Sequence, residues 1–250
     1  MLIKPLPIAT IAGRGTGIGN LLTADPKEVW VDSDAGGSAV LTIDLGAVAT
    51  IDTVFLGSLR QAAAGSVWSI TAGLARADEF TIQAATALRV PDVSGQFAPV
   101  SHALAFGTSR SARYLRISIT QVGGAVLSAG ALVIGKAFIP VLGQEWGAGR
   151  RPIDTGTATA LPSGGFSVVK GVRKRGLTWT FGDLSLDEVD QLETLALDLG
   201  ETAAVLVVED PARTAGLLRR IHYAKFDRWK AFERRNRAQT RWEISVEEWV

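Results

Sequence analysis

At 250 residues the chain has room for one or two domains with real cores, and without cysteine it has no disulfide framework to hold them. Its formal net charge of +1 gives the molecule as a whole no electrostatic reason to bind a polyanion. No apolar run reaches the roughly 18 residues a membrane-spanning helix needs, and Met1 to Gly13 lacks the basic start and long apolar centre of a signal peptide.

The chain begins with a glycine cluster, Gly13, Gly15, Gly17 and Gly19, whose spacing refuses a nucleotide loop. After Gly13 and Gly15 the third glycine of a dinucleotide fingerprint falls on Ile18, and after Gly15 and Gly17 it falls on Asn20. Residues 1–19 therefore read as an arm with turns. Ala39 to Gly46 alternates Val40, Thr42 and Asp44 with Leu41, Ile43 and Leu45 and reads as a strand. Trp30 and the polar loop Asp32 to Gly37 precede it. A second apolar run, Ile51 to Leu56, and the pair Trp68 and Ile70 follow. Ala62 to Gly65 and Ala75 to Glu79 read as connections, and Arg89 to Gly107, with Pro91, Gly95 and Pro99, as a long loop holding one short strand. Ala112 to Thr120 (ARYLRISIT) and Gly130 to Phe138 (GALVIGKAF) supply two more strands.

These pieces, above all Ile43 to Gly46 and Arg113 to Ile117, resemble the discoidin or galactose-binding-like domain over about residues 20–141. The resemblance implies a β-sandwich jelly roll that binds a ligand, often a glycan, through loops at one end, without catalysis. Candidate ligand residues there are Trp30, Asp32, Asp34, Arg60 and Trp68, since aromatic faces stack on sugar rings and charged groups fix hydroxyls. In this pattern the two tryptophans are alternatively core residues, and the domain is alternatively a spacer or docking surface. Asp32 and Asp34 also have the chemistry to ligate calcium, with a plain surface turn as the other reading.

Past Pro140 the glycines 143, 147 and 149 with Arg150, Arg151 and Pro152 mark a linker, and the domain boundary falls at about residue 142. Phe166 to Val172 and Leu177 to Phe181 read as two strands joined by a hairpin turn with a basic tip, Arg173 to Gly176. Ser185 to Leu199 is the clearest helix: Ser185 caps it, Glu188 stands where a capping box needs it, and Val189, Leu192, Leu195, Ala196 and Leu199 form its apolar stripe up to Gly200. Strands follow at Ala203 to Val208 and near Leu218 to Phe226. The last strand points Trp242, Ile244 and Val246 one way. The fold expected is mainly β: an N-terminal sandwich and, over 142–250, an α+β domain, an antiparallel barrel or sandwich with one helix.

By the order of "WTFGDLS", the capped helix, "AAVLVVEDP", a basic strand with His222 and Tyr223, and "WEISVEEWV", this second half resembles the ring-forming domain of tailed-phage distal tail and baseplate proteins. Those proteins usually begin with the ring domain, and here it comes last. The resemblance implies a structural component of a virion tail tip, in the host cytoplasm before assembly, that forms a ring of its own copies, hexameric in the family, beside tube, hub or fibre proteins. A free carbohydrate-binding module and a non-catalytic accessory subunit of a hydrolase are the alternatives.

Charge is segregated. Gly176 to Ala212 holds nine acids and no Lys or Arg, whereas Arg213 to Arg241 holds ten bases against Asp227 and Glu233. The two segments pair internally, stand as a solvated acidic helix and a solvated basic hairpin, or face a neighbouring copy, with Asp187, Asp190 and Glu193 opposite Arg234, Arg235 and Arg237 as candidate interface residues. Trp229, Phe232 and Trp242 interleave the basic loop 228–241 with rings that suit base stacking. The domain as a whole is neutral, with sixteen bases and sixteen acids from Val141 onward, which argues against direct nucleic-acid binding. Enzyme readings find no frame. His102 and His222 belong to no metal spacing, and Ser109 and Ser111 near His102 lack the strand-to-helix turn that exposes a nucleophilic serine. The sequence implies no cofactor and no resident metal.

Overall fold

The computed structural model describes residues 1–92, 100–212 and 215–250. The chain divides into two compact units that interleave along the sequence, Met1–Ile139 with Ala204–Tyr223, and Pro140–Ala203 with Ala224–Val250. In chain order the strands are β1 (Leu2–Ile3), β2 (Thr10–Gly13), β3 (Trp30–Val31), β4 (Gly37–Arg60), β5 (Val67–Gly73), β6 (Phe80–Ala87), β7 (Val100–Gln121), β8 (Ser128–Ala129), β9 (Ala131–Gly135) and β10 (Ala137–Phe138). They continue as β11 (Gly149–Asp154), β12 (Thr157–Ala160), β13 (Phe166–Val169), β14 (Arg173–Leu184), β15 (Ala204–Val208), β16 (Ile221–Trp229), β17 (Glu233–Arg234) and β18 (Thr240–Glu248), and among the described residues there is one α-helix, α1 (Leu186–Leu199), between β14 and β15. The fold is mainly β, antiparallel throughout the registered pairs.

The first unit is organised around two long strands. β4 and β7 pair antiparallel from Gly37↔Gln121 to Arg60↔Val100, with the register broken between Asp44 and Ala49. Gly46 sits at that break with φ 79° and a Cβ position only 3.0 Å from Ala9, so a side chain there is disfavoured by backbone and space together. The bend folds each strand over itself. One buried cluster therefore holds Leu41, Ile43, Leu115 and Ile117 from the first half of the ladder beside Val54, Leu56, Ala103 and Ala105 from the second. β2 extends the ladder on β4, and β5 and β6 extend it beyond β7. This is a β-sandwich whose layers share the same strands.

The distal part of β4 and its neighbour β9 are buried on both faces. Along β9, Leu132 and Ile134 face the sandwich core, while Ala131 and Val133 join a second cluster with Ile3, Phe55, Leu206, Val208 and Ile221. A strand packed on two sides reads as a continuous apolar run, which is the texture of ALVIG and VFL. The second cluster is covered by β10, β1 and β15, paired in that order through Leu2↔Phe138 and Leu2↔Val207. Two expectations are corrected here. The N-terminal stretch is no loose arm, because Leu2 and Ile3 are buried ladder residues and β2 is registered against β4. Ala204–Val208, expected in the C-terminal domain, is fully buried in the first unit, since five apolar residues in a row need cover on both faces.

In the second unit β18 lies between β14 and the distal part of β16, and β11 forms the edge beyond β14. Leu177, Trp179 and Phe181 alternate inward on β14, as do Trp242, Ile244 and Val246 on β18. The helix starts as its sequence requires: the Ser185 hydroxyl accepts from the Glu188 amide at 3.3 Å, and the Glu188 carboxylate accepts from the Ser185 amide at 2.8 Å. Val189, Leu192, Leu195 and Leu199 are its buried stripe. The expected basic turn at Arg173 to Gly176 is instead the start of β14, paired with Gly176↔Arg151 through Arg173↔Asp154 on β11. Its bases are neutralised along the ladder by Asp154, Glu247 and Glu248, so the segment needs no turn to solvate them.

Candidate functional site

One end of the sandwich gathers three loops, residues 32–37, 61–66 and 121–127. A Cβ placed on Gly36 would lie 2.8 Å from the Gly123 carbonyl, and one on Gly123 would lie 3.5 Å from Ala63. The Gln121 amide donates to the carbonyls of Gln61, at 3.4 Å, and of Ala125, and the Val122 amide donates to the Ser66 hydroxyl at 3.3 Å. Gln61 holds φ 58°, a strained value for a side chain of its size, directly after Arg60 at the end of β4.

Arg14 organises this end. Its Nε donates to Asp32 Oδ1 at 2.6 Å and Nη2 to Asp32 Oδ2 at 2.9 Å, while Nη1 reaches Asp34 Oδ2 at 2.6 Å and Nη2 also approaches the Gly36 carbonyl at 3.4 Å. The hydrogen bonds it donates to the Asp32 carboxylate hold the guanidinium charged, raising its pKa above the usual arginine value. The flanking glycines permit the approach: Gly15 has φ 100°, and a Cβ on it would lie 2.2 Å from the Val31 carbonyl. Of the N-terminal glycines, Gly15 is thus explained by a backbone pressed against Trp30 to Asp32, while Gly17 approaches the Val29 carbonyl and Gly13 that of Val40.

The candidate ligand residues separate accordingly. Trp30 and Trp68 are core residues, 0% and 1% exposed, and the Trp30 indole donates to the Arg14 carbonyl at 2.8 Å, so neither ring is open to a sugar face. Asp32 is buried and spent on Arg14; Asp34 is mostly in water and shares the same guanidinium. A guanidinium in that position takes the charge a calcium ion would need, and no cluster of three metal-ligating groups occurs among the described residues. Arg60 and Gln61 are exposed at the same end. The structure thus leaves Arg60, Gln61 and Asp34, with Ser33, among the polar groups presented at this end.

A further link was not read from the sequence. Arg113 makes a two-pronged ion pair with Asp44, at 2.8 and 3.0 Å, joining the "IDLG" and "RYLRI" segments across the β4–β7 ladder. Hydrogen bonds from Arg113 and from the Gly46 amide hold the Asp44 carboxyl below the usual carboxylate range. The pairing of acid and base in the two most specific segments was its sequence signal. His102 accepts from the Ser58 amide at 3.1 Å and His222 bonds Glu209 at 2.7 Å in the core, both structural roles.

In the second unit Asp187, Asp190 and Glu193 are exposed on α1, and Arg234, Arg235 and Arg237 are exposed on and after β17. Arg235 is engaged within the unit, 3.1 Å from Glu145, whose other oxygen takes Arg241 at 3.2 Å. Trp229, Phe232 and Trp242 pack against one another, with centroid separations of 5.8 Å for Trp229 to Trp242 and 5.2 Å for Phe232 to Trp242. Rings so paired, with Trp242 buried, form no stacking platform for bases.

No protein-family model matches the chain, and no curated protein matches it. Solved structures do. The CBM32 module of AlyQ, in complex with 4,5-unsaturated mannuronic acid, is 19% identical, with 54% of this chain and 99% of that one covered and a TM-score of 0.39. A chitosan-binding module from a chitosanase/glucanase of Paenibacillus sp. IK-5 is 16% identical over 52% of this chain and 98% of that one, with a TM-score of 0.37. A GH29 fucosidase of Ruminococcus gnavus is 16% identical at a TM-score of 0.36, and the chain spans a quarter of that enzyme's length (25%) while 51% of its own is covered.

Proposed function

We propose that the chain is a non-catalytic recognition protein whose first unit binds a polar ligand, a carbohydrate, at the loop end of the sandwich. The observation that carries this reading is the convergence of loops 32–37, 61–66 and 121–127 around exposed Arg60, Gln61 and Asp34, braced from behind by Arg14. Arginine and carboxylate side chains at a shallow, partly solvated end suit hydroxyl groups, and the absence of an open aromatic ring there among the described residues predicts weak binding. A glycan array probed with the full chain, followed by calorimetry on the best hit, tests it. Binding should fall on Arg60→Ala with the melting profile unchanged. A blank array, or a hit indifferent to Arg60→Ala and to Gln61→Ala, sinks the reading.

A second reading is favoured by one observation in the second unit. There an apolar hairpin and an acidic helix face stand in solvent, as expected of a subunit that assembles with copies of itself. On this reading the chain is a structural component of a tail tip, its second unit forming the ring and its sandwich displayed from it. Electron microscopy of the purified chain distinguishes closed rings from monomers.

A further inference from the structure

The hairpin of β12 and β13 has no core of its own. Its register, Thr157↔Val169 through Ala160↔Phe166, puts Thr157, Thr159, Ser167 and Val169 on one face and Ala158, Ala160, Phe166 and Val168 on the other. The second face is entirely apolar, and every residue of both strands is exposed, Phe166 by 69% and Val168 by 63%. An isolated two-stranded ribbon is marginal in water, and an antiparallel sheet normally turns its apolar face to a core. A concavity of about 760 Å³ at the hairpin base is lined by Ala158, Val168, Val169 and Lys170 together with the ion-paired Asp154 and Arg173.

A complementary surface stands on the same unit. Along α1, Leu186, Asp190, Glu193 and Leu197 follow one another at spacings of four, three and four and so share one solvent-facing stripe. Its two leucines are 44% and 80% exposed. Among the described residues the side chains of Asp190 and Glu193 have no cation partner, while Lys170 beside the hairpin has no anion. Residues 149–175 carry six bases and one acid, but Arg151, Arg173, Lys174 and Arg175 are already ion-paired within the chain, so Lys170 is the base that the hairpin offers; residues 176–203 carry seven acids and no base.

We propose that the apolar face of this hairpin, with Lys170, docks onto the Leu186–Asp190–Glu193–Leu197 stripe of a second copy of the chain. Leucine meets the apolar ribbon and the carboxylates meet Lys170. Docking hairpin to hairpin instead would place like charges together and leave the helix stripe uncovered. Because the two surfaces differ, the contact is heterologous and propagates head to tail, closing into a ring or extending as a filament according to the rotation per subunit. The inference goes beyond the glycan reading and does not depend on it.

Light scattering on the full chain provides the test. The wild type should show a mass that grows with protein concentration. Phe166→Ser with Val168→Thr, or Leu197→Lys with Glu193→Lys, should each weaken association about tenfold or more without lowering the melting temperature, since these side chains are already in water. Mixing the two variants is decisive: each keeps one intact surface, so they should form a one-to-one dimer and nothing larger. A wild type that stays monomeric at its highest soluble concentration overturns the proposal. So does an oligomer unaffected by both variants, or a mixture that shows no dimer. The absence of cysteine allows an independent check, since a chain carrying Val168→Cys and Glu193→Cys should give a covalent ladder on oxidation. A ladder no stronger than that of either single variant also overturns it.

Discussion

Arg14→Ala should be among the most damaging single changes outside the cores. The Asp32 side chain is 3% exposed and bonded to Arg14 twice, at 2.6 and 2.9 Å; after truncation the Ser33 amide, at 2.8 Å, is the partner that remains. Leaving a buried carboxylate without its cation costs about 3–5 kcal/mol. Arg14 keeps 30% of its side chain in water, so solvent screens part of the lost interaction, and about 2 kcal/mol is the expected penalty. For a unit of this size that is a fall in melting temperature of about 4–8 °C, read by calorimetry as the transition of the first unit. Arg14→Lys should recover little, because an ammonium cannot reproduce the fork. Adding Asp32→Asn to Arg14→Ala should recover part of the loss, since the uncompensated charge is then gone. Wild-type melting of Arg14→Ala, or a double variant as unstable as the single one, would refute the argument that this pair braces the loop end.

Ser185→Ala removes the helix cap and should cost the second unit about 1 kcal/mol, measured by denaturant titration; an unchanged midpoint means the Glu188 carboxylate alone satisfies the helix start. Glu79 accepts from the amides of Leu74, Ala75 and Arg76, and these bonds hold its carboxyl below the usual range. Its contribution is present above the ordinary carboxylate pKa and is lost as pH falls through the lowered one. Hydrogen exchange at residues 74–76 should therefore open as the pH falls below the ordinary carboxylate range, and Glu79→Gln should remove that pH dependence.

Local patterns were legible where one element answers to one period. The strand Ala39 to Gly46, the capped helix after Ser185 and the inward series Trp242, Ile244 and Val246 all stand where alternation or 3.6-residue spacing puts them. Long-range pairing was not legible. Nothing local says that the chain bends at Gly46 and continues as one strand to Arg60, or that the bases of Arg173 to Arg175 face Asp154, Glu247 and Glu248 across two ladders. Whether Trp30 faces a ligand or the core was not legible for a similar reason. A tryptophan beside a polar loop serves a sugar or a core equally well by composition, and only the 0% exposure of Trp30 and the fork from Arg14 decide between them.

The interleaving of the two units makes a last prediction. A piece cut at residue 141, where composition changes, keeps every loop of the candidate site and still loses β15 and the start of β16. Leu206, Val208 and Ile221 go with them, uncovering Ile3, Phe55 and Val133, and each large apolar side chain so exposed forfeits about 1.5–3 kcal/mol. Half a dozen such losses equal or exceed the roughly 5–15 kcal/mol that holds a domain together. Residues 1–141 should therefore be insoluble or melt without a cooperative transition. Restoring 204–223 behind a flexible linker of about ten residues, in place of 140–203, should bring the transition back, since such a linker spans about 17 Å and β10 is separated from β15 only by β1. A short piece that melts as sharply as the full chain would mean that the second cluster adds little. A failed glycan assay on residues 1–141 would, on the present argument, report the missing strand and not the ligand site.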